Sequence, residues 1–210
     1  MPERPSPDLE RMLTDVEWAM SKQFAARDLV PMLENLVRAA PAASEAAYFA
    51  KLRLSELIVG EAPFRAARLA RDVLVRGESD RAWGVLGLAH TLLGNYRVAA
   101  RSYRRALALA PDCGVYEHNL GHVLDVALNR PHDALPHLER AHRDLPEESE
   151  ITSSYAHALL RSGQPKKARA LLTQAVGSAE AAVTRLSMEL PRLVISDIRL
   201  PDRDGMWLFQ

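Results

Sequence analysis

The strongest constraint on this 210-residue chain is a pattern of small residues that recurs about every 34 positions. Four alanines mark it at intervals of 33, 35 and 34 residues: Ala66, Ala99, Ala134 and Ala168. In the copy at 80–113, an apolar pattern of helical period is broken at Gly94 and Asn95, then resumes until Pro111. Such a period predicts a solenoid, because each copy leaves an apolar face that only a neighbouring copy can bury.

The best-preserved copy shows which kind of repeat this is. It carries Trp83, Leu86 and Gly87 on its first predicted helix, then Ala99, Tyr103, Ala106 and finally Pro111. These residue types at these spacings resemble the tetratricopeptide repeat (TPR), a helix–turn–helix unit of about 34 residues. The following copy resembles it with one extra residue, which we expect in its turn.

The TPR resemblance implies an all-α, right-handed solenoid of antiparallel helix pairs over residues 8–190. The expected units are about 8–43, 46–79, 80–113, 114–148 and 149–182, followed by a capping helix near 179–189. The predicted helices are 8–22, 26–39, 46–59, 63–76, 81–93, 96–109, 115–128, 131–144, 150–162 and 165–177. Paired helices approach closely only at small side chains, so we expect Gly87 to face Ala99 and Gly121 to face Ala134.

The resemblance also implies a concave groove lined by the first helix of each unit. By analogy with the family, one row holds Trp18, Leu54, Leu88, His122 and His157. A neighbouring row holds Ala50, Gly84, His118 and Ser153, with Thr91, Asp125 and Arg161 nearby. An apolar N-terminal half and a polar C-terminal half indicate a partner peptide with an apolar anchor and a polar flank. The alternative is that Leu54 and Leu88 are ordinary packing residues.

Two histidines four positions apart raise the question of a metal site. His118 and His122, with Asp125 near, have the spacing of a divalent-metal pair on one helix face. We favour the alternative that they are polar groove residues, and we predict no metal and no cofactor. The repeats show no phosphate-binding loop, nucleophile elbow or acid–base pair, which argues against an enzyme. The histidines of the next predicted helix are expected to be solvated: His132, His137 and His142.

Charge and composition limit the partners that we expect. Lys plus Arg and Asp plus Glu both number 27, so no net charge drives binding to nucleic acid or to an anionic membrane. The basic helix face at Arg101, Arg104 and Arg105 is interpreted as solvated. One cysteine and the lack of an apolar run of about 18 residues favour a cytoplasmic protein. Self-association is left open.

The pattern changes at Pro191. Residues 193–205, LVISDIRLPDRDG, resemble the phospho-acceptor segment of a response-regulator receiver domain. The resemblance places Asp197 on the phospho-accepting aspartate and Arg199 on the residue whose carbonyl helps to hold Mg²⁺. The acidic pair, the Thr or Ser and the Lys that this family also needs are missing. We therefore predict that Asp197 is vestigial and is not phosphorylated. Residues 191–210 are a truncated receiver, a fusion or a docking segment.

These observations favour a non-enzymatic scaffold that binds a protein or peptide in its groove, in bacterial regulation or assembly. One alternative is a two-component signalling protein with a truncated receiver. A second is a secretion-type TPR chaperone, and a third is the regulatory part of an enzyme.

Overall fold

A computed structural model describes residues 6–175 and 177, and these residues form a stack of helices. The helices are α1 Pro7–Ser21, α2 Ala26–Ala39, α3 Glu45–Ile58, α4 Pro63–Arg76, α5 Asp80–Leu92, α6 Tyr96–Leu109, α7 Gly114–His122, α8 Pro131–Asp144 and α9 Ser149–Arg161. A π-helical turn, Val123–Ala127, continues α7, and residues 165–175 are helical and are called α10. From α1 to α9, the predicted boundaries lie within one residue of those observed when the π-helical turn is counted with α7. The capping helix expected at 179–189 and the segment 191–210 lie outside the described residues.

Local sequence signals explain where the helices begin and end. The hydroxyl oxygens of Ser6, Ser44 and Ser79 accept hydrogen bonds from backbone N–H groups three residues on, which caps α1, α3 and α5. The turns after α5 and α9 place Gly94 and Gly163 at φ of 73° and 75°, where a glycine avoids the steric cost of a side chain.

The helices pack as successive antiparallel pairs. From α1 to α9, each packs against its neighbour in the chain. Two first helices, α3 and α5, also contact each other, as do α7 and α9. Among the described residues, no contact of that extent joins the second helices α2, α4, α6 and α8. The first helices therefore lie on the inner side of the stack. The all-α solenoid predicted from the period is confirmed.

The marker alanines lie where the helices approach each other. Ala66, Ala99 and Ala134 have no exposed surface, and Ala168 is 1% exposed. The glycines, however, lie closest to large side chains. A Cβ on Gly87 would lie 2.5 Å from Cε1 of Tyr103, and a Cβ on Gly121 would lie 2.6 Å from Cγ of Leu138. The atoms nearest to these glycines therefore belong to large side chains one turn beyond Ala99 and Ala134, and the predicted pairing with the alanines stays a prediction.

The extra residue of the fourth copy lies inside a helix and not in the turn where it was expected. The turns before α6 and α8 have the same length, with Gly94 and Asn129 in equivalent left-handed positions. The π-helical turn absorbs the additional residue, and the Leu128 N–H donates to the Val123 carbonyl oxygen five residues back, at 3.0 Å. The insertion therefore changes which side chains the end of this helix presents to the next unit.

The buried apolar residues form three clusters along the stack. One cluster joins residues from α1 to α5, a second joins α6 to α9, and a small third cluster joins α9 to α10. Within the described part of the chain, no helix combines the length and the hydropathy needed to cross a membrane.

Candidate partner-binding groove

The residues expected in the groove differ widely in exposure. Trp18, His122, Ser153, His157 and Arg161 are exposed, whereas Leu88 and Thr91 are half-buried. The others are buried: Ala50, Leu54, Gly84, His118 and Asp125. The surface available to a partner on the inner side is therefore smaller and more polar than the predicted rows.

Leu54 is not available to a partner. Its side chain is fully buried in the cluster that joins α1 to α5, and Ala50 beside it is buried as well. Gly84 is covered by the ring of Tyr116, whose Cε1 would lie 2.6 Å from a Cβ at that glycine. The prediction that Leu54 contacts a ligand is corrected to the packing role that was the alternative. Leu88 also packs partly against this cluster.

The C-terminal half of the groove contains a buried carboxylate bound by side chains of the next unit. Asp125 lies in the π-helical turn and is 1% exposed. His157 Nδ1 is 2.6 Å from its Oδ2, and Arg161 Nη1 donates to its Oδ1 at 2.8 Å. Arg161 also donates to the Asp125 carbonyl oxygen and to Asn129 Oδ1. We call Asp125, Asn129, His157 and Arg161 the Asp125 clamp, since they tie α7 and its π-turn to α9.

His118 precedes this clamp along the chain and contacts a serine of α9. Its Nε2 is 3.0 Å from Oγ of Ser154, whereas the neighbouring Ser153 is exposed. Burial lowers the pKa of His118, the nearby Glu150 carboxylate raises it, and His122 lowers it again. The ring centroids of His118 and His122 are 6.0 Å apart. His118 is therefore a buried hydrogen-bonding residue whose neutral form is favoured by burial, and His122 presents the exposed ring.

Among the described residues, His118 and His122 have no third side chain beside them that could complete a metal site. Asp125 binds Arg161 and His157. Across the residues that the structure describes, no three His, Cys, Asp or Glu side chains are grouped so that they could hold a metal ion.

The remaining groove residues have local roles. Thr91 donates its hydroxyl hydrogen to the Gly87 carbonyl oxygen at 2.9 Å, which keeps this side chain against its own helix. Trp18 packs edge to face on Phe24, with ring centroids 5.4 Å apart. These two rings form an exposed aromatic pair at the end of α1.

Sequence reasoning missed a second buried carboxylate. Glu117 on α7 is 4% exposed, and its oxygens lie 2.5 Å from His137 Nδ1 and 2.6 Å from Arg140 Nε, both on α8. His142 lies 3.2 Å from the Thr152 hydroxyl and packs on Tyr155. Only His132 is exposed among the three histidines expected to be solvated, so the expectation is corrected for His137 and His142. The spacing of Glu117 gave no signal of this contact, which depends on the pairing of two helices.

Known families match two stretches of the chain. A tetratricopeptide repeat profile matches residues 80–113, and a second tetratricopeptide repeat profile matches residues 125–186. The chain therefore contains TPR repeats at these positions. These matches end before residue 191, so the receiver resemblance of the tail has no support from them. No curated protein sequence matches the chain.

Solved structures with the same fold include several of MamA. A crystal structure of MamA has 18% sequence identity and a TM-score of 0.67, covering 80% of this chain and 96% of that one. MamA 41-end from Desulfovibrio magneticus RS-1 has 14% identity and a TM-score of 0.72, with coverages of 85% and 98%. MamA AMB-1 has 19% identity and a TM-score of 0.64, with coverages of 82% and 97%. At these identities, the likeness shows the TPR-type fold.

Proposed function

We propose that this chain is a non-enzymatic scaffold that binds a partner protein or peptide on its inner face, within bacterial regulation or assembly. TPR units at 80–113 and 125–186 support an interaction role, since stacked repeats of this kind present extended concave surfaces. A fold neighbour from Desulfovibrio magneticus RS-1 is consistent with a bacterial setting.

The observation that carries this proposal is the exposure of His122 and His157 on two successive inner helices, beside Arg161, whose two Nη atoms already bind Asp125 and Asn129. Exposed imidazole and guanidinium groups donate hydrogen bonds to a peptide backbone or to carboxylates. Half-buried Leu88 lies one unit earlier and adds apolar surface. The partner fitted by this arrangement is a segment with an apolar residue followed by polar groups, as the sequence predicts.

Affinity capture with matched variants tests this assignment. His122→Glu changes an exposed groove residue, and His132→Glu makes the same change at an exposed residue of α8. We expect wild type and His132→Glu to retain the same proteins, identified by mass spectrometry, and His122→Glu and Leu88→Glu to lose them. Unchanged capture by both groove variants, with circular dichroism showing that they are folded, would reject the groove.

Asp197 stays a predicted vestigial residue, and labelling with acetyl phosphate and Mg²⁺ tests it.

A further inference from the structure

The outer helices α4 and α6 carry a concentration of positive charge in a chain whose net charge is zero. No acidic residue occurs on α6, and the single one on α4, Asp72, pairs with Lys51 at 3.2 Å. Two arginines of α4 are also neutralised from other elements, since Arg65 pairs with Glu34 and Arg76 pairs with Glu45. The remaining arginines of these helices are not neutralised in this way.

Six exposed arginines of α4 and α6 have no ion pair among the described residues, and one of them, Arg105, lies over the Trp83 ring, 6.0 Å from its centroid. Five therefore have neither an ion pair nor a cation–π contact in that part of the chain. They are Arg68 and Arg71 on α4 and Arg97, Arg101 and Arg104 on α6. Within each helix they are three or four positions apart, so they share one side and repel each other. Burial, and then the charge of Arg71, lower the pKa of His90 on the neighbouring first helix. The fold thus places these positively charged arginines near one another without acidic partners among the described residues.

Exposed apolar side chains lie in the same line as these charges. Phe64 and Val75 are 69% and 88% exposed, and they stand at the two ends of the α4 line that contains Arg68 and Arg71. Positions 64, 68, 71 and 75 share one face because their spacing follows the helical period. We define the α4–α6 face by these residues and the three arginines of α6, so that it is basic on both helices and apolar on α4.

The outer helices α2 and α8 carry less uncompensated charge. On α8, Arg140 binds Glu117, and Arg130 just before the helix binds Asp133 at 2.6 Å. Glu34 on α2 binds Arg65. Exposed side chains without an ion pair among the described residues also occur elsewhere on second helices, namely Arg38, Arg143, Lys166, Lys167 and Arg169. Relative to α2 and α8, α4 and α6 therefore stand out by carrying several such arginines on one side of each helix.

We propose that the α4–α6 face is a second interaction surface, which binds an acidic segment of a partner protein that also carries apolar side chains. Carboxylates of the partner supply the missing ion pairs to the arginines, and its apolar side chains cover Phe64 and Val75. Arginine suits this role because its guanidinium binds carboxylates through two parallel hydrogen bonds. This surface lies on the outer side, so it is separate from the proposed groove and goes beyond that function.

Two other classes of polyanion fit the face less well. A bilayer separates apolar and charged groups by depth, as the two faces of a membrane-surface helix do, whereas on α4 both kinds of side chain share one line. Single-stranded nucleic acid uses aromatic rings for stacking, but the most exposed apolar residue here is aliphatic Val75.

Peptide binding measured by fluorescence anisotropy tests the proposal. The probe is a fluorescein-labelled, glutamate-rich peptide with two leucines eleven positions apart, the separation of Phe64 and Val75. We expect Arg101→Glu/Arg104→Glu to weaken binding about tenfold or more, while Arg38→Glu/Arg143→Glu, with the same charge change on α2 and α8, stays near wild type. Val75→Ser removes only an exposed apolar side chain and should weaken binding about threefold.

Several outcomes would overturn this surface. One is the absence of peptide binding, and another is equal binding by wild type and by folded Arg101→Glu/Arg104→Glu. A third is tighter binding of phosphatidylserine–phosphatidylcholine vesicles or of oligothymidylate than of the peptide, lost in the same variant. His122→Glu should leave peptide binding unchanged, so failure of the groove and failure of this surface are distinguishable.

Discussion

The two halves of the molecule bury different chemistry between helices of the same kind. Helices α1 to α5 share one apolar cluster, in which Leu33, Leu36 and Leu54 have no exposed surface. Helices α7 to α9 also bury ionisable groups, namely Glu117, His118 and Asp125. Apolar burial is non-directional and tolerates changes of shape, whereas a buried carboxylate is stable only while its partners keep their positions. The C-terminal half therefore depends more strongly on the register between adjacent units.

One of the three buried ionisable groups, Asp125, lies in the π-helical turn. In the unit at 80–113, the end of the first helix carries Thr91, which bonds within its own helix. In the next unit the inserted residue widens the helix, and Asp125 binds α9 of the following unit. At equivalent positions, one unit therefore has a contact within its own helix and the next has a contact between units.

Removing apolar volume from the N-terminal half should cause the largest loss in the free energy of unfolding. Leu54→Ala should lower the free energy of unfolding by about 2–5 kcal/mol, while Leu54→Met should cost less than about 1.5 kcal/mol because it keeps the volume. Urea unfolding measures both values. If Leu54→Ala left stability unchanged but abolished partner capture, Leu54 would be a groove residue after all.

Breaking the Asp125 clamp should lower the free energy of unfolding by less than Leu54→Ala does. The loss should depend on which residues of the clamp remain. Arg161→Met leaves the buried carboxylate bound to His157 alone among the side chains of α9. We expect a loss of about 2 kcal/mol, below the range for a fully uncompensated charge, because Arg161 is partly exposed. A double-mutant cycle with Asp125→Asn should show coupling between the two positions. Additive effects of the two changes would mean that the clamp contributes no interaction energy.

The smallest effect concerns the pH dependence of stability. Burial lowers the pKa of His118 below its ordinary value of 6.5, so the unfolded chain takes up this proton more readily than the folded protein. The contribution of His118 is complete above the unfolded pKa and is lost as pH falls through it. Glu150 opposes this shift and His122 reinforces it. His118→Gln, which can still bond Ser154, should show a smaller drop in Tm than wild type from about pH 7.5 to about pH 5.5. An identical drop in both proteins would contradict this assignment.

Much of the fold could be predicted from the sequence because the repeat period, the capping serines and the turn glycines are local signals. The groove could be predicted less well. Position along the first helix placed Leu54 and Asp125 near the inner side, but whether a side chain there is exposed depends on the twist between units. That twist arises from packing between units and has no signature within one of them.

The sequence did contain a signal for the location of the inserted residue. The interval of 35 between Ala99 and Ala134 revealed the insertion, but the turn to which we assigned it was wrong. Matching Asn129 to Gly94 as the left-handed residue that ends the first helix would have restricted the insertion to the helix before it. Asparagine tolerates this conformation better than most residues other than glycine, so the match had a physical basis.

Hydrogen exchange followed by mass spectrometry tests most directly the claim that a polar clamp holds the C-terminal units and an apolar cluster holds the N-terminal ones. The comparison is between wild type and Arg161→Met, for the amides of α5 and of α9. The account predicts faster exchange in α9 with no change in α5. Equal acceleration in both helices, or no acceleration in α9, would contradict it.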